Sequence, residues 1–249
     1  MYYKSLLASA VVAMAITGSA QAATVSLFSD PSHGDVGGEV ANQSADLTAT
    51  GNTVNAFSGT GDAAWAAALA GADAVVIPEL EVDGVSDNLS ASTLTAIADF
   101  VTAGGNLVTT GVFGQGLTFI NDVFGTSLTG TQFVPDSSIT ATGLLTEFGA
   151  GPATLTSLDA VDGANLASLG GATSVYETGA FSTVFTFGFG NGNVTFLGYD
   201  WFDGQDGDWA TVQDIAVNLG ASQIPLPAGM PLLLAGLGAF GIARRSRKA

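Results

Sequence analysis

The 249-residue sequence has no cysteine, a single histidine (His33), and no lysine or arginine between Lys4 and Arg244. Without cysteine there is no disulfide, thiolate metal ligand, cysteine nucleophile or lipid-modified N-terminal cysteine. Without basic residues the central part cannot neutralise nucleic-acid phosphates, clamp an anion with arginine or use a catalytic lysine. All 22 acidic residues lie between Asp30 and Asp214, and the formal net charge is −17. The composition therefore excludes nucleic acid as a partner.

The N-terminus has the three parts of a secretory signal peptide. Lys4 supplies positive charge, an apolar stretch runs from Leu6 to Ile16, and Ala20-Gln21-Ala22 matches an Ala-x-Ala cleavage site. The alternative is a buried N-terminal helix. We expect signal peptidase to remove residues 1–22, which leaves Ala23 as the mature N-terminus of an exported chain.

The C-terminus has an apolar segment followed by a basic cluster. Residues 228–243 would form a helix of about 24 Å, slightly short for a hydrocarbon core of about 30 Å. The tail after it, residues 244–249, should stay cytoplasmic by the positive-inside rule. Its basic residues are Arg244, Arg245, Arg247 and Lys248. With a cleaved signal peptide ahead, this transmembrane helix would anchor the body on the outer side of the inner membrane.

A short motif lies in front of this helix, at the end of a spacer over residues 221–227. It consists of Pro225, Leu226, Pro227 and Ala228. Together with the Gly-containing apolar helix and the basic cluster, it resembles the VPLPA variant of the PEP-CTERM sorting signals of Gram-negative bacteria, with Ile224 in place of valine. The resemblance implies cleavage by an exosortase-type membrane protease, then release or attachment at the cell surface, and an association with extracellular polysaccharide. The alternative is a permanent tail anchor.

Apolar periodicity predicts one α/β domain over residues 23–220. Ala74–Ile77 is a continuous apolar run, typical of a strand buried on both faces of a parallel sheet. Leu94, Ile97, Ala98 and Val101 recur at helical spacing before Gly104-Gly105. Strands and helices that alternate in this way predict a mainly parallel, doubly wound, flavodoxin-like sheet.

The second half of this domain has a different pattern. Short Thr-rich runs predict a β-rich insertion at about residues 125–180. Gly190-Asn-Gly-Asn193 then predicts a hairpin between two alternating runs. Asp62 and Asp208 are the expected N-caps of the second and the last helix.

Several segments resemble the class I glutamine amidotransferase-like superfamily, including its ThuA-like branch. They are Ala72-Asp-Ala-Val-Val-Ile-Pro-Glu79, Leu94–Val108, Gly111-Val-Phe-Gly-Gln-Gly116 and Gly192-Asn-Val-Thr-Phe-Leu-Gly-Tyr-Asp200. The resemblance implies a nucleophilic cysteine in the turn that follows the fourth strand. Phe113 stands at that position, and no histidine follows it. The sequence therefore favours a non-enzymatic binding or structural role at the cell surface or in the matrix.

Two alternatives remain open. Carboxylate pairs such as Glu79/Glu81 and Asp200/Asp203 are what a polysaccharide hydrolase uses. The other alternative is a surface protein that depends on a divalent cation.

The cation hypothesis follows from the predicted topology, because ligands of open α/β sheets bind at the carboxyl ends of the strands. Acidic residues follow three of these strands. They are Asp30 and Asp35 with His33, then Glu79, Glu81 and Asp83, and finally Asp200, Asp203, Asp206 and Asp208. Oxygen ligands without thiolates favour Ca²⁺ or Mg²⁺. The candidate metal ligands are therefore Asp30, His33, Asp35, Asp200, Asp203, Asp206 and Asp208, with Ca²⁺ as the candidate cofactor. The alternative is a solvated acidic loop that caps helices and aids solubility.

Overall fold

The chain alternates strands and helices in its first part and is rich in strands in its second. A computed structural model describes residues 22–111, 114–158 and 160–220, without the side chain of Asp203. The helices are α1 (Glu39–Ala49), α2 (Asp62–Leu69), α3 (Ala91–Ala103), α4 (Gln115–Phe124) and α5 (Gly207–Val217). The strands are β1 (Thr24–Phe28), β2 (Thr53–Phe57), β3 (Ala74–Ile77), β4 (Asn106–Thr110), β5 (Gly130–Thr131), β6 (Ser137–Ile139), β7 (Thr154–Leu155), β8 (Gly163–Asn165), β9 (Thr173–Thr178), β10 (Phe181–Phe189) and β11 (Gly192–Leu197).

The described strands form one sheet whose first part is parallel. Its order is β2-β1-β3-β4-β11, and each neighbouring pair in this order is parallel. This is the flavodoxin-like order, in which the chain reverses direction across the sheet between β1 and β3. The predicted mixed α/β class with a large, mostly parallel sheet is therefore confirmed.

Helices cover both faces of the parallel part. On one face α1 and α5 pack together, and their side chains, such as Leu47 and Trp209, bury one apolar cluster against the sheet. On the other face α2, α3 and α4 bury a second cluster around Trp65, Ile97 and Leu117. Two buried faces explain why β3 is apolar at every position.

The predicted β-rich region extends the sheet. β10 and β11 form the expected antiparallel hairpin, and the sheet continues through β9, β6 and β7. β8 pairs with the start of β10, and β5 pairs with β8. Because β8 pairs with Phe181 and Ser182, which precede the partner of Leu197 in β10, β8 lies next to the carboxyl edge of the parallel part.

Two predicted helix caps are wrong. Gly61 is the N-cap of α2, and Asp62 instead accepts hydrogen bonds from the hydroxyls of three residues near the start of α3. At α5 the cap is Asp206, whose extended backbone aims Oδ1 at the N–H groups of Asp208 and Trp209, at 2.9 and 3.1 Å. The N-cap of α2 thus lies one residue before the expected position, and that of α5 lies two residues before it. Ser90 caps α3 as its sequence predicts.

The predicted sorting segments fall largely outside the described residues. This holds for the signal peptide before Ala22, for the Pro-Leu-Pro-Ala motif, for the helix over residues 228–243 and for the basic tail. Among residues 22–111, 114–158 and 160–220, none of the helices has the length and apolarity that a membrane crossing requires.

Candidate functional site

Three carboxylates meet at the carboxyl edge of the parallel sheet. Glu39 is the first residue of α1, Glu79 follows β3, and Asp200 follows β11. One oxygen from each can be chosen so that all three oxygens lie within 4.8 Å of one another. We call these three residues the carboxylate cluster.

The backbone around Glu79 is held by close packing. A Cβ on Gly34 would lie 2.7 Å from the Glu79 carbonyl oxygen, so the loop after β1 can approach only with glycine at that position. On the other side, Gly111 has φ +128°, and its backbone packs against the Glu79 Cα. These two contacts fix the direction in which Glu79 leaves the sheet.

The two glutamates of the cluster are buried, and in their ionised forms all three carboxylates are acceptors only. Glu39 is 1% exposed and Glu79 is 2% exposed. No hydrogen-bond donor among the described residues reaches Oε2 of Glu39 or either carboxylate oxygen of Glu79. The polar neighbours of Glu79 are the carboxyls of Glu39 and Asp200. Asp200 also accepts the N–H of Phe202 at 2.7 Å, which orients its side chain.

This environment disfavours the charged form of the two glutamates. Burial, and then repulsion from the other carboxylates, raises the pKa of both Glu39 and Glu79. No lysine or arginine lies in this part of the sequence to balance the charge. The cluster therefore needs shared protons or a bound cation to be stable at neutral pH.

The spacing of the oxygens suits one Ca²⁺ ion. Each Ca–O distance is about 2.4 Å, so two oxygens on opposite sides of the ion are about 4.8 Å apart. The three oxygens lie within that limit. The cluster can thus supply three hard oxygen ligands, and Asp200, which is only half-buried, gives solvent access.

Of the seven metal ligands expected from the sequence, Asp200 belongs to this cluster. The residues after β1 make other contacts. Asp30 accepts the N–H groups of Ser32 and Gly59, which lowers its pKa. The Nδ1 of His33 lies 3.0 Å from the Asp83 carbonyl, and the His33 ring packs on Phe28. Their side chains hold the loop.

Asp35, Asp206 and Asp208, three of the remaining expected ligands, are not part of the carboxylate cluster. Asp35 accepts the N–H of Gly37 and raises the pKa of Glu39 through its charge. Asp206 caps α5, and Asp208 is exposed. The side chain of Asp203 lies outside the described residues.

Two buried carboxyls at the carboxyl edge, Glu39 and Asp162, were not identified from the sequence. Glu39 lies four residues after Asp35, which is in the loop region that follows β1. Its place in the first turn of α1 is the sequence feature that could have identified it as a site residue. Asp162 lies in the β-rich region, where periodicity gives no topology. It is 2% exposed and accepts the N–H of Gly114 at 3.1 Å. Burial raises its pKa to about 7, and the charge of Asp200 adds to this effect.

The sequence analysis also singled out a turn at residues 111–116 and two carboxylate pairs that a hydrolase could use. Phe113, which stands where the resemblance implies a nucleophile, lies outside the described residues. In the pair Glu79/Glu81, Glu79 is buried and Glu81 is exposed. A polysaccharide chain cannot reach both members, whereas an ion or a proton can reach the buried one.

No protein-family model and no curated protein matches this sequence. Solved structures do resemble the fold. A cytoplasmic protein from Salmonella typhimurium LT2 is 15% identical, with 77% of this chain and 93% of that chain covered and a TM-score of 0.50. A second cytoplasmic protein from Salmonella typhimurium is 10% identical, with coverage of 79% and 96% and a TM-score of 0.52.

A glutamine amidotransferase from Thermotoga maritima is also similar. It is 10% identical, 81% of this chain and 86% of that chain are covered, and the TM-score is 0.44. At such identities the comparisons concern the fold and transfer no activity to this chain. The chain is thus similar in fold to known α/β proteins, and its function has to be inferred from its own side chains.

Proposed function

We propose that this protein is an exported, non-catalytic α/β domain that binds one divalent cation, Ca²⁺ by preference, in the carboxylate cluster. The supporting observation is that Glu39 and Glu79 are buried against other carboxyls without a donor to Glu79. A buried carboxylate group with no donor and no basic neighbour is stabilised by a cation or by protons. Exported proteins meet abundant Ca²⁺, so the cation is the ligand available to the mature domain.

The biological role that fits this site is cation-dependent binding or structural support at the cell surface or in the matrix. Burial of the glutamates favours an ion over the glycosidic bond that a hydrolase must reach. The signals at the two ends of the chain support export through signal peptidase and sorting by an exosortase-type protease. Intact mass and fractionation of the native protein test this route: a body that starts at Met1 in the cytoplasm would contradict it.

The cation is tested by thermal unfolding of the full chain in a polyoxyethylene detergent, with chelator or with Ca²⁺ at matched ionic strength. At a Ca²⁺ concentration of 100 times Kd, binding to the folded state adds about 2.7 kcal/mol. For a domain of this size that free energy raises the melting temperature by about 5–10 °C. Mg²⁺ is expected to give a smaller shift.

Glu79→Gln separates this site from general charge screening. Its amide keeps the shape of glutamate and donates hydrogen bonds to the carboxyls of Glu39 and Asp200. The variant should melt higher than the wild type in chelator and should lose the Ca²⁺ shift. Asp99→Asn is the matched control, since Asp99 is exposed on α3 and the charge change is the same. A Ca²⁺ shift that persists in Glu79→Gln, or one that is absent from the wild type, would refute the site.

A further inference from the structure

A groove opens beside the start of α4. It has a volume of about 610 Å³ and lies between α4 and residues 128–133, which include β5. This volume is typical of pockets for small organic ligands. The groove also includes Asp162 in its wall and Phe133 at its surface, and it contains none of the three cluster residues.

Asp162 brings an unused acceptor to this groove. Its Oδ2 accepts the Gly114 N–H, and its backbone N–H donates to the Gly198 carbonyl at 2.7 Å. Oδ1 is buried and has no hydrogen-bond partner among the described residues. A buried carboxylate oxygen without a donor is unfavourable unless a ligand supplies the donor. A hydroxyl group is a suitable donor.

Phe133 gives the groove an exposed aromatic surface. Its side chain is 63% exposed, and its backbone φ is 59°, a value uncommon outside glycine. The next residue is held to the sheet region, because the N–H of Val134 donates to the Val161 carbonyl at 2.9 Å. The backbone beside Phe133 is therefore held, and its ring lies on the protein surface, where it contributes little to the core.

The neutral side chains beside the ring are free to bind a ligand. Thr131 and Gln132 are exposed and line the groove, and their side chains make no hydrogen bond within the described part of the chain. These groups are complementary to a sugar ring. The groove offers an aromatic face, a carboxylate acceptor, and neutral hydroxyl and amide groups. A sugar ring has an apolar C–H face for the aromatic ring, and its hydroxyls both donate and accept hydrogen bonds.

We propose that this groove binds a sugar residue of a neutral polysaccharide. Phe133 stacks on the C–H face of the sugar, and Asp162 Oδ1 accepts a hydrogen bond from one hydroxyl. Anionic sugars are disfavoured, because the body offers no lysine or arginine and Asp162 would repel them. The inference rests on the proposed function in that a surface domain meets polysaccharide, but it uses different residues from the cation site.

The test is binding of maltohexaose, cellohexaose and mannohexaose to the full chain, in chelator and in Ca²⁺. Isothermal calorimetry in the same detergent measures Kd, and a galacturonic acid hexamer is the anionic probe. We expect at least one neutral hexasaccharide to bind under both conditions. Phe133→Ala should raise its Kd by about tenfold or more without a change in melting temperature, while Phe133→Trp keeps the affinity. Asp162→Asn, which keeps an acceptor for Gly114, should also weaken binding.

Phe202→Ala is the matched control, because Phe202 is 64% exposed and does not line the groove. The proposal is overturned if no neutral probe binds, if Phe133→Ala binds like the wild type, or if the anionic hexamer binds equally well. Sugar binding that requires Ca²⁺ and disappears in Glu79→Gln would overturn it as well, because the sugar would then lie on the cation. If a sugar binds but Ca²⁺ has no effect on stability, the proposal of a sugar site in the groove is supported and only the proposal of a cation site is refuted.

Discussion

The two edges of the parallel sheet both carry buried or half-buried polar residues, but they differ in their supply of hydrogen-bond donors. At the amino edge, Asp214 accepts from the amides of Asn52 and Asn218, at 2.8 and 3.0 Å. Asp73 accepts the N–H of Thr24, and Asn106 donates to two carbonyls at the end of α5. The carboxylates of this edge thus have donors within the protein.

At the carboxyl edge, the buried carboxylates face one another. Glu79 has no donor among the described residues, and its neighbours are Glu39 and Asp200. The acids named at the amino edge therefore have donors within the protein, whereas Glu79 at the carboxyl edge has none among the described residues. This difference separates acids that receive hydrogen bonds from the protein from acids for which we propose a bound cation.

The largest expected effect is on the pH dependence of stability in chelator. Burial raises the pKa of Glu39 and Glu79, and that of Asp162 to about 7. In the unfolded chain these groups ionise near pH 4, so above that pH the folded state holds more protons. The free energy of unfolding should therefore fall as pH rises from about 5 to 8, by up to about 1.4 kcal/mol per pH unit for each group. Urea unfolding at several pH values measures this slope.

Carboxyls whose pKa is lowered in the folded state change the free energy of unfolding at a lower pH than the interval from about 5 to 8. Asp30 and Asp62 accept hydrogen bonds that lower their pKa, so their stabilisation is lost only below about pH 4. Asp162→Asn should flatten the slope at the carboxyl edge. Stability that increases steadily up to pH 8 in chelator would show that the buried acids of this edge are satisfied after all.

A smaller effect is expected from Asn106→Ala at the amino edge. Asn106 is 4% exposed, and its amide donates to Val217 and Leu219 at 3.1 and 2.9 Å. Alanine leaves these carbonyls without that donor, which should destabilise the protein by about 2–3 kcal/mol. Chemical unfolding measures the change, with exposed Asn191→Ala as control. The Ca²⁺ response should stay the same, and its loss would mean that the two edges are coupled.

The smallest effect concerns an acid that has donors although it lies on the carboxyl side. Asp206→Ala removes the N-cap of α5 and should cost about 1 kcal/mol. Asp208→Ala removes an exposed carboxylate of the first turn and should cost less than about 0.5 kcal/mol. Equal effects of the two changes in thermal unfolding would contradict the assignment of the cap.

Local sequence patterns predicted most helices and strands of the fold. They predicted fewer of the side-chain contacts, including those in the carboxylate cluster. The apolar run of β3 and the Gly-Asn turn between β10 and β11 predicted strands correctly, because burial and turn chemistry act over a few residues. The cap at Asp62 was wrong because its carboxylate is bonded by hydroxyls about 30 residues away in the chain. Glu39 was missed for a similar reason, since its neighbours come from β3 and β11.

The sequence by itself determined one constraint on every buried acid in this protein. Because the body has no lysine or arginine, such an acid must find a neutral donor, keep a proton or bind a cation. Tertiary structure decided which of these applies at each position. Asp46 receives the indole N–H of Trp201 and the amide of Gln205, while the polar neighbours of Glu79 among the described residues are carboxyls. The physical reason is that these partners are 40 to 159 residues apart in the chain, so only folding determines which groups meet.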